Sequence, residues 1–156
     1  MSNILVAFYS RTGNTEKMAG IIADELKAKG QDVSLKAMDN VNVDDLLAAD
    51  GVIIGSPTYY GTMAAQVKRL FDESVKVHGK LDGKAGGAFS SAANIAGGNE
   101  TTVLDIINAM FIHGFIVQGD PEGSHYGPVA IGAPDERAVK ECKRFADRFA
   151  NLLSRI

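Results

Sequence analysis

Ser10, Thr12, Asn14 and Thr15 fall within six residues, in the run Ser10-Arg11-Thr12-Gly13-Asn14-Thr15. Hydroxyls at this density, with a glycine to turn the backbone, can converge on one anion. The run follows Ile4-Leu5-Val6-Ala7-Phe8-Tyr9, an apolar stretch with the length of a buried strand. Asn14-Thr15-Glu16 then opens a segment of helical character. A turn between a strand and a helix start offers free backbone N–H groups and the positive end of the helix dipole, so its natural ligand is a phosphate. The same residues also serve as an ordinary helix-capping turn.

Three further loops carry polar and aromatic residues. Gly55-Ser56-Pro57-Thr58-Tyr59-Tyr60-Gly61-Thr62-Met63 places two tyrosines where they could wall an aromatic ring, and Gly61 could let a peptide turn toward the ring edge. Ser90-Ser91-Ala92-Ala93-Asn94-Ile95-Ala96-Gly97-Gly98-Asn99 is long and built of small residues, which lets backbone approach a planar ligand. The fourth is 119–128, with His125-Tyr126-Gly127-Pro128 at its end.

The elements that must hold these loops alternate along the chain. Strands are expected at 3–9, 33–35, 51–55, 85–90 and 115–117. Helices are expected at 14–29, 43–49, 63–77, 100–113 and 134–154. Met18, Ile22 and Leu26 mark the inner face of the first helix. Val67, Leu70, Phe71 and Val75 mark that of the third, and Phe145, Phe149 and Leu152 that of the last. Such alternation implies an α/β fold, a parallel sheet covered on both faces. In it, ligands bind beyond the carboxyl ends of the strands, where the four loops lie.

Composition excludes several classes. The 156 residues suit one domain, 1–156, and the net charge of −3 gives no reason to expect nucleic acid. No apolar stretch approaches the ~20 residues of a membrane helix, and no basic leader precedes the first strand, so a cytoplasmic location without membrane insertion is expected. The single cysteine, Cys142, allows no internal disulfide and reads as buried filler, and three scattered histidines form no metal site. No two glycines are separated by one residue, so the GxGxxG dinucleotide fingerprint is missing. Neither Gly79-Lys80 nor Gly83-Lys84 is followed by a hydroxyl, which removes the triphosphate loop. The first loop has neither the acidic cluster of a receiver domain nor the cysteine of a low-molecular-weight phosphatase.

The first loop resembles the FMN-phosphate loop of the flavodoxin superfamily. Together with Gly-Ser-Pro-Thr-Tyr-Tyr-Gly-x-Met, Ser-Ser-x-x-x-x-x-Gly-Gly-Asn-Glu, Ile112-His113-Gly114 and His125-Tyr126-Gly127-Pro128, in that order, the chain resembles the flavodoxin-like NAD(P)H:quinone oxidoreductases of the WrbA type, in a shortened form. The resemblance implies a three-layer sandwich with a five-stranded parallel sheet in the order 2-1-3-4-5. It implies FMN as cofactor and NAD(P)H as donor. The acceptor would be a quinone or a protein redox partner, and copies would associate as a dimer or tetramer. Ser10, Arg11, Thr12, Gly13, Asn14 and Thr15 would hold the phosphate. Pro57, Thr58, Tyr59, Tyr60 and Gly61 would line the ring, and Ser90, Ser91, Ala92, Asn94, Gly97 and Gly98 its pyrimidine edge. His125 and Tyr126 would approach the ring. His113 matches the family's active-site histidine, and with Tyr60 would be catalytic, although a helix-capping role explains His113 equally well. Set against this is a one-electron carrier of the flavodoxin type. The modest net charge and the lack of an aromatic residue in the third loop favour the oxidoreductase.

Overall fold

The computed structural model describes residues 1–156. Five strands form its sheet core: β1 (Asn3–Phe8), β2 (Asp32–Ala37), β3 (Gly51–Tyr59), β5 (Ala85–Ala92) and β6 (Ile116–Val117). They run parallel in the order β2-β1-β3-β5-β6, as the resemblance implied. The remaining two strands are β4 (Thr62–Met63), which folds back antiparallel on the end of β3, and β7 (Val129–Ile131), which pairs with the upper half of β5. The fifth sheet position is therefore split. Ile116 pairs opposite Ala85 and Val129 opposite Ser90, and 118–128 loops out between them.

Strand periodicity sorts the side chains into two cores. Ile4, Val6 and Phe8 of β1, with Ile53 and Phe89, face helices α1 (Asn14–Ala28) and α5 (Glu136–Leu153). Leu5 and Ala7, with Val52, Ile54 and Ala88, face α2 (Val43–Ala48), α3 (Ala65–Glu73) and α4 (Asn99–Ile112). Both faces of the sheet are thus covered, and β3 and β5 are apolar or small through most of their length because neither side meets water.

Local signals fix the helix ends. Met18, Ile22 and Leu26 are fully buried as their spacing requires, and Gly30, at φ +78°, stops α1. Asn42 and Asp45 form a reciprocal capping box on α2. Asp135 caps α5 by accepting from the Ala138 N–H at 2.8 Å. Cys142 lies fully buried on the inner face of α5, where burial pushes its thiol up to about 12. That is a packing role. The third helix departs from expectation. It ends at Glu73 and tightens into a 3₁₀ turn over Ser74–Val77. The change of period turns Val75 out to solvent and Val77 into the core.

Candidate functional site

The turn Ser10–Gly13 joins β1 to α1 at the carboxyl edge of the sheet. The Gly13 N–H donates to Ser10 Oγ at 3.1 Å, which closes the turn. Gly13 takes φ +98°, a left-handed conformation that glycine adopts without strain. No side chain caps α1, so the N–H groups of its first turn are open to an anion. Thr12 and Arg11 are exposed above it, Ser10 and Asn14 half-buried, and Thr15 buried.

These residues open one cleft of about 470 Å³, lined by Ser10, Arg11, Thr12, Asn14, Thr15, Pro57, Thr58, Tyr59, Ser91, Ala92, Ala93 and Gly132. Three loops expected to meet therefore do meet. Ala93 and Gly132 are additions: Ala93 lies in the third loop, and Gly132 follows β7, whose return to the sheet no local pattern announces. Tyr59 lines the cleft with its ring edge-on to Tyr9, at 6.3 Å between centroids. Hydroxyls at one end and an aromatic wall beyond them suit a ligand that is anionic at one end and planar at the other.

Beneath the cleft lies a buried polar network that binds its walls together. Thr58 Oγ1 lies 3.0 Å from Ser90 Oγ and donates to Asn99 Oδ1 at 3.3 Å, while Thr102 Oγ1 donates to Thr58 Oγ1 at 3.0 Å. Asn99 Nδ2 donates to the Ala130 carbonyl at 3.3 Å. Thr15 Oγ1 and Ser91 Oγ lie 2.9 Å apart. Asn99 and Thr102 were not singled out as site residues in the sequence. Their only local signal is their place at a helix start, which capping explains as well.

Tyr60 and Gly61 are the two turn residues between β3 and β4. Both have positive φ, +50° and +78°, the pattern of a type I′ hairpin turn. A tyrosine there is strained. Its side chain is wholly exposed at the tip, outside the cleft lining. The hairpin is stapled to α4: Thr101 Oγ1 donates to the Gly61 carbonyl at 2.6 Å, and Thr62 Oγ1 to Asp105 at 2.5 Å. Gly98, at φ +107°, lies against Gly61. Asn94 and Gly97 are exposed in the third loop, where the Gly97 N–H donates to the Asn94 carbonyl.

His125 and Tyr126 are not brought to this cleft. They line a separate cavity of about 240 Å³ between the start of α4 (Glu100, Val103), Val129 of β7 and Arg137 of α5. Their loop is anchored away from the first turn. Arg144 donates to both oxygens of Asp120 at 2.6 and 2.8 Å, and Glu141 accepts the Ser124 N–H. The Arg144 guanidinium beside Asp120 holds its carboxyl well below the usual carboxylate range.

His113 lies at the opposite end of the sheet. It follows α4, which starts beside Thr58 and runs 14 residues back toward the start of β5. That is about 20 Å of helix. The Ser74 hydroxyl donates to the Phe71 carbonyl at 2.6 Å, so it accepts from His113 Nε2–H at 2.7 Å. Nδ1 is left buried without a partner. Burial, then the neighbouring His78, lowers the pKa of His113. The folded protein therefore holds it neutral. Its contribution is complete above the unfolded-state value near 6.5 and is lost as pH falls below it toward the lower folded-state value. Urea unfolding at about pH 7.5 and about pH 5.5 should show lower stability at the acid value, and His113→Gln should shrink the difference. An unchanged difference would assign the acid sensitivity elsewhere.

The match to known proteins agrees with this geometry. The flavodoxin family model matches residues 6–102, which include the first turn and two of the other three loops. A flavodoxin from Aquifex aeolicus is 39% identical, over 99% of this chain and 88% of its own length. An NAD(P)H dehydrogenase (quinone) from Archaeoglobus fulgidus is 30% identical, over 100% of both chains. The crystal structure of a flavodoxin, WrbA-like protein from Agrobacterium tumefaciens superposes with a TM-score of 0.84, at 26% identity, over 99% of both chains.

Proposed function

This chain belongs to the flavodoxin family, and we propose that within it the protein works as an FMN-dependent oxidoreductase, passing electrons from NAD(P)H to a quinone or similar acceptor. The observation that carries this reading is the cleft itself: an uncapped helix start with hydroxyls at one end, an aromatic wall at the other, and a small, exposed third loop. Ser10, Thr12, Asn14 and the first N–H groups of α1 would hold the phosphate, with Thr15 beneath them. Pro57, Thr58 and Tyr59 would line the ring, and Ala92 and the 94–98 backbone its polar edge; Ser90, expected at that edge, is fully buried beneath the cleft on Thr58, and the Ser91 hydroxyl is turned to Thr15. Bound FMN supplies hydride acceptance and electron release; the protein binds and orients it.

Residues 93–97 are exposed and carry no aromatic side chain, which leaves room for a nicotinamide or quinone against the ring. Tyr60, projecting at the hairpin tip, would be the first side chain to meet such a molecule. A role for His113 in that step would need a second copy of the chain to carry it there. The expected dimer or tetramer belongs to the same proposal, supported by the exposed apolar group Val75, Phe111, Ile112 and Ile116 near the amino edge of the sheet. No helix is long and apolar enough to cross a membrane, which is compatible with the proposed cytoplasmic setting.

A one-electron carrier is the second reading. The higher identity to the Aquifex aeolicus flavodoxin than to the quinone dehydrogenase favours it. An anaerobic spectral titration of the FMN-loaded protein separates the two. The oxidoreductase should be bleached by NADH or NADPH in one two-electron step and regain its colour with benzoquinone. No response to either nucleotide, with dithionite reduction in two separate one-electron steps, would overturn that reading in favour of the carrier.

A further inference from the structure

Ser91 was expected at the polar edge of the ring, yet its hydroxyl is spent elsewhere. Ser91 Oγ and Thr15 Oγ1 lie 2.9 Å apart, across 76 residues of sequence, with both side chains buried. Thr15 is the second residue of α1 and Ser91 the penultimate residue of β5. The contact therefore joins the wall under the anion end of the cleft to the wall under the ring end.

Two hydroxyls that share one hydrogen bond leave one proton free. Its direction decides which residue can donate to a ligand. With an anion at the open start of α1, the lower-energy arrangement points the Thr15 proton at the anion. Ser91 must then be the donor to Thr15 Oγ1. The reverse arrangement would turn the Thr15 proton away and leave only a lone pair facing negative charge. No other side-chain partner competes for either hydroxyl.

We propose that Ser91 is a positioning residue for the phosphate: its hydroxyl donates to Thr15 Oγ1 and so aims the Thr15 proton at an anion on the first turn of α1. The inference rests on the flavin reading above. It differs from an edge contact to the ring in which end of the ligand feels the loss of the hydroxyl.

The test is a binding titration of the apoprotein with FMN and, separately, with riboflavin, which lacks the phosphate. Ser91→Ala should weaken FMN binding about tenfold, the low end for a hydrogen bond to a charged group, and leave riboflavin binding unchanged. The double variant carrying Thr15→Val and Ser91→Ala should bind FMN no more weakly than Thr15→Val alone, because the two act as one unit. The upward shift in melting temperature with inorganic phosphate should also shrink in Ser91→Ala. Ser91→Cys, which keeps the volume but is a weak donor, replaces it should the alanine variant not fold. Equal losses for FMN and riboflavin, or no loss for FMN, would overturn the assignment of Ser91 while leaving the flavin site standing. Wild-type protein that binds neither flavin would overturn the flavin reading and this inference with it.

Discussion

Gly98→Ala is expected to weaken FMN binding by about two orders of magnitude, the equivalent of about 3 kcal/mol, although the substitution adds one methyl group. Gly98 sits at φ +107°, where an L side chain is strained by about 1–3 kcal/mol. Its Cβ would also stand 2.8 Å from Gly61 Cα and 3.1 Å from Thr101 Oγ1. The first of these is backbone and cannot swing aside. Thr101 Oγ1 is the donor that holds the Gly61 carbonyl, so the clash falls on the staple between the Thr58–Met63 hairpin and α4. Moving the hairpin moves Thr58 and Tyr59, which form one wall of the cleft. Gly20→Ala is the control: it lies inside α1 with nothing near its Cβ, and should leave binding unchanged while adding slightly to stability. Fluorescence titration of each apoprotein with FMN decides the matter. Wild-type affinity in Gly98→Ala would mean that the contact between α4 and the hairpin does not shape the site.

The second large effect falls on the sheet core. Phe89→Ala should destabilise the apoprotein by about 3–5 kcal/mol, as a fully buried phenylalanine. Its ring lies across Gly55 on the neighbouring strand; a Cβ added there would come within 2.1 Å of it. Gly55→Ala is therefore an overpacking change, worth about 1–3 kcal/mol. The two should couple, since removing the ring removes the clash. Gly55→Ala in the Phe89→Ala background should cost little or even recover stability by refilling the space. Urea unfolding of the four proteins gives the cycle. Additive losses would show that the ring and the strand do not constrain each other.

Much of this was readable from local pattern. The buried strand before Ser10, the helix through Met18, Ile22 and Leu26, and the stop at Gly30 all depend on short-range rules of period and backbone conformation. The strand order and the meeting of the first, second and third loops followed from alternation and from the resemblance. The third helix shows where periodicity fails. Val75 keeps the α-helical spacing of Leu70 and Phe71, but the backbone tightens after Glu73, and a change of pitch leaves no mark in hydrophobic spacing.

The linear chain determined which polar groups the first turn gathers, because Ser10, Thr12, Gly13, Asn14 and Thr15 are sequence neighbours and need only one turn to converge. Which distant residues join them was decided by the tertiary structure alone. Asn99 and Thr102 reach Thr58, and Ser91 reaches Thr15, through strand pairing and helix packing across tens of residues. The same packing sets the limits of motif reading. His113 lies outside the cleft because α4 runs antiparallel to the strands and carries its last residues to the other edge of the sheet. His125 and Tyr126 sit in a loop tied to α5 by the Asp120–Arg144 pair, residues 24 apart, and to β5 by the Ser90 N–H donating to the Pro128 carbonyl, contacts that no local pattern encodes.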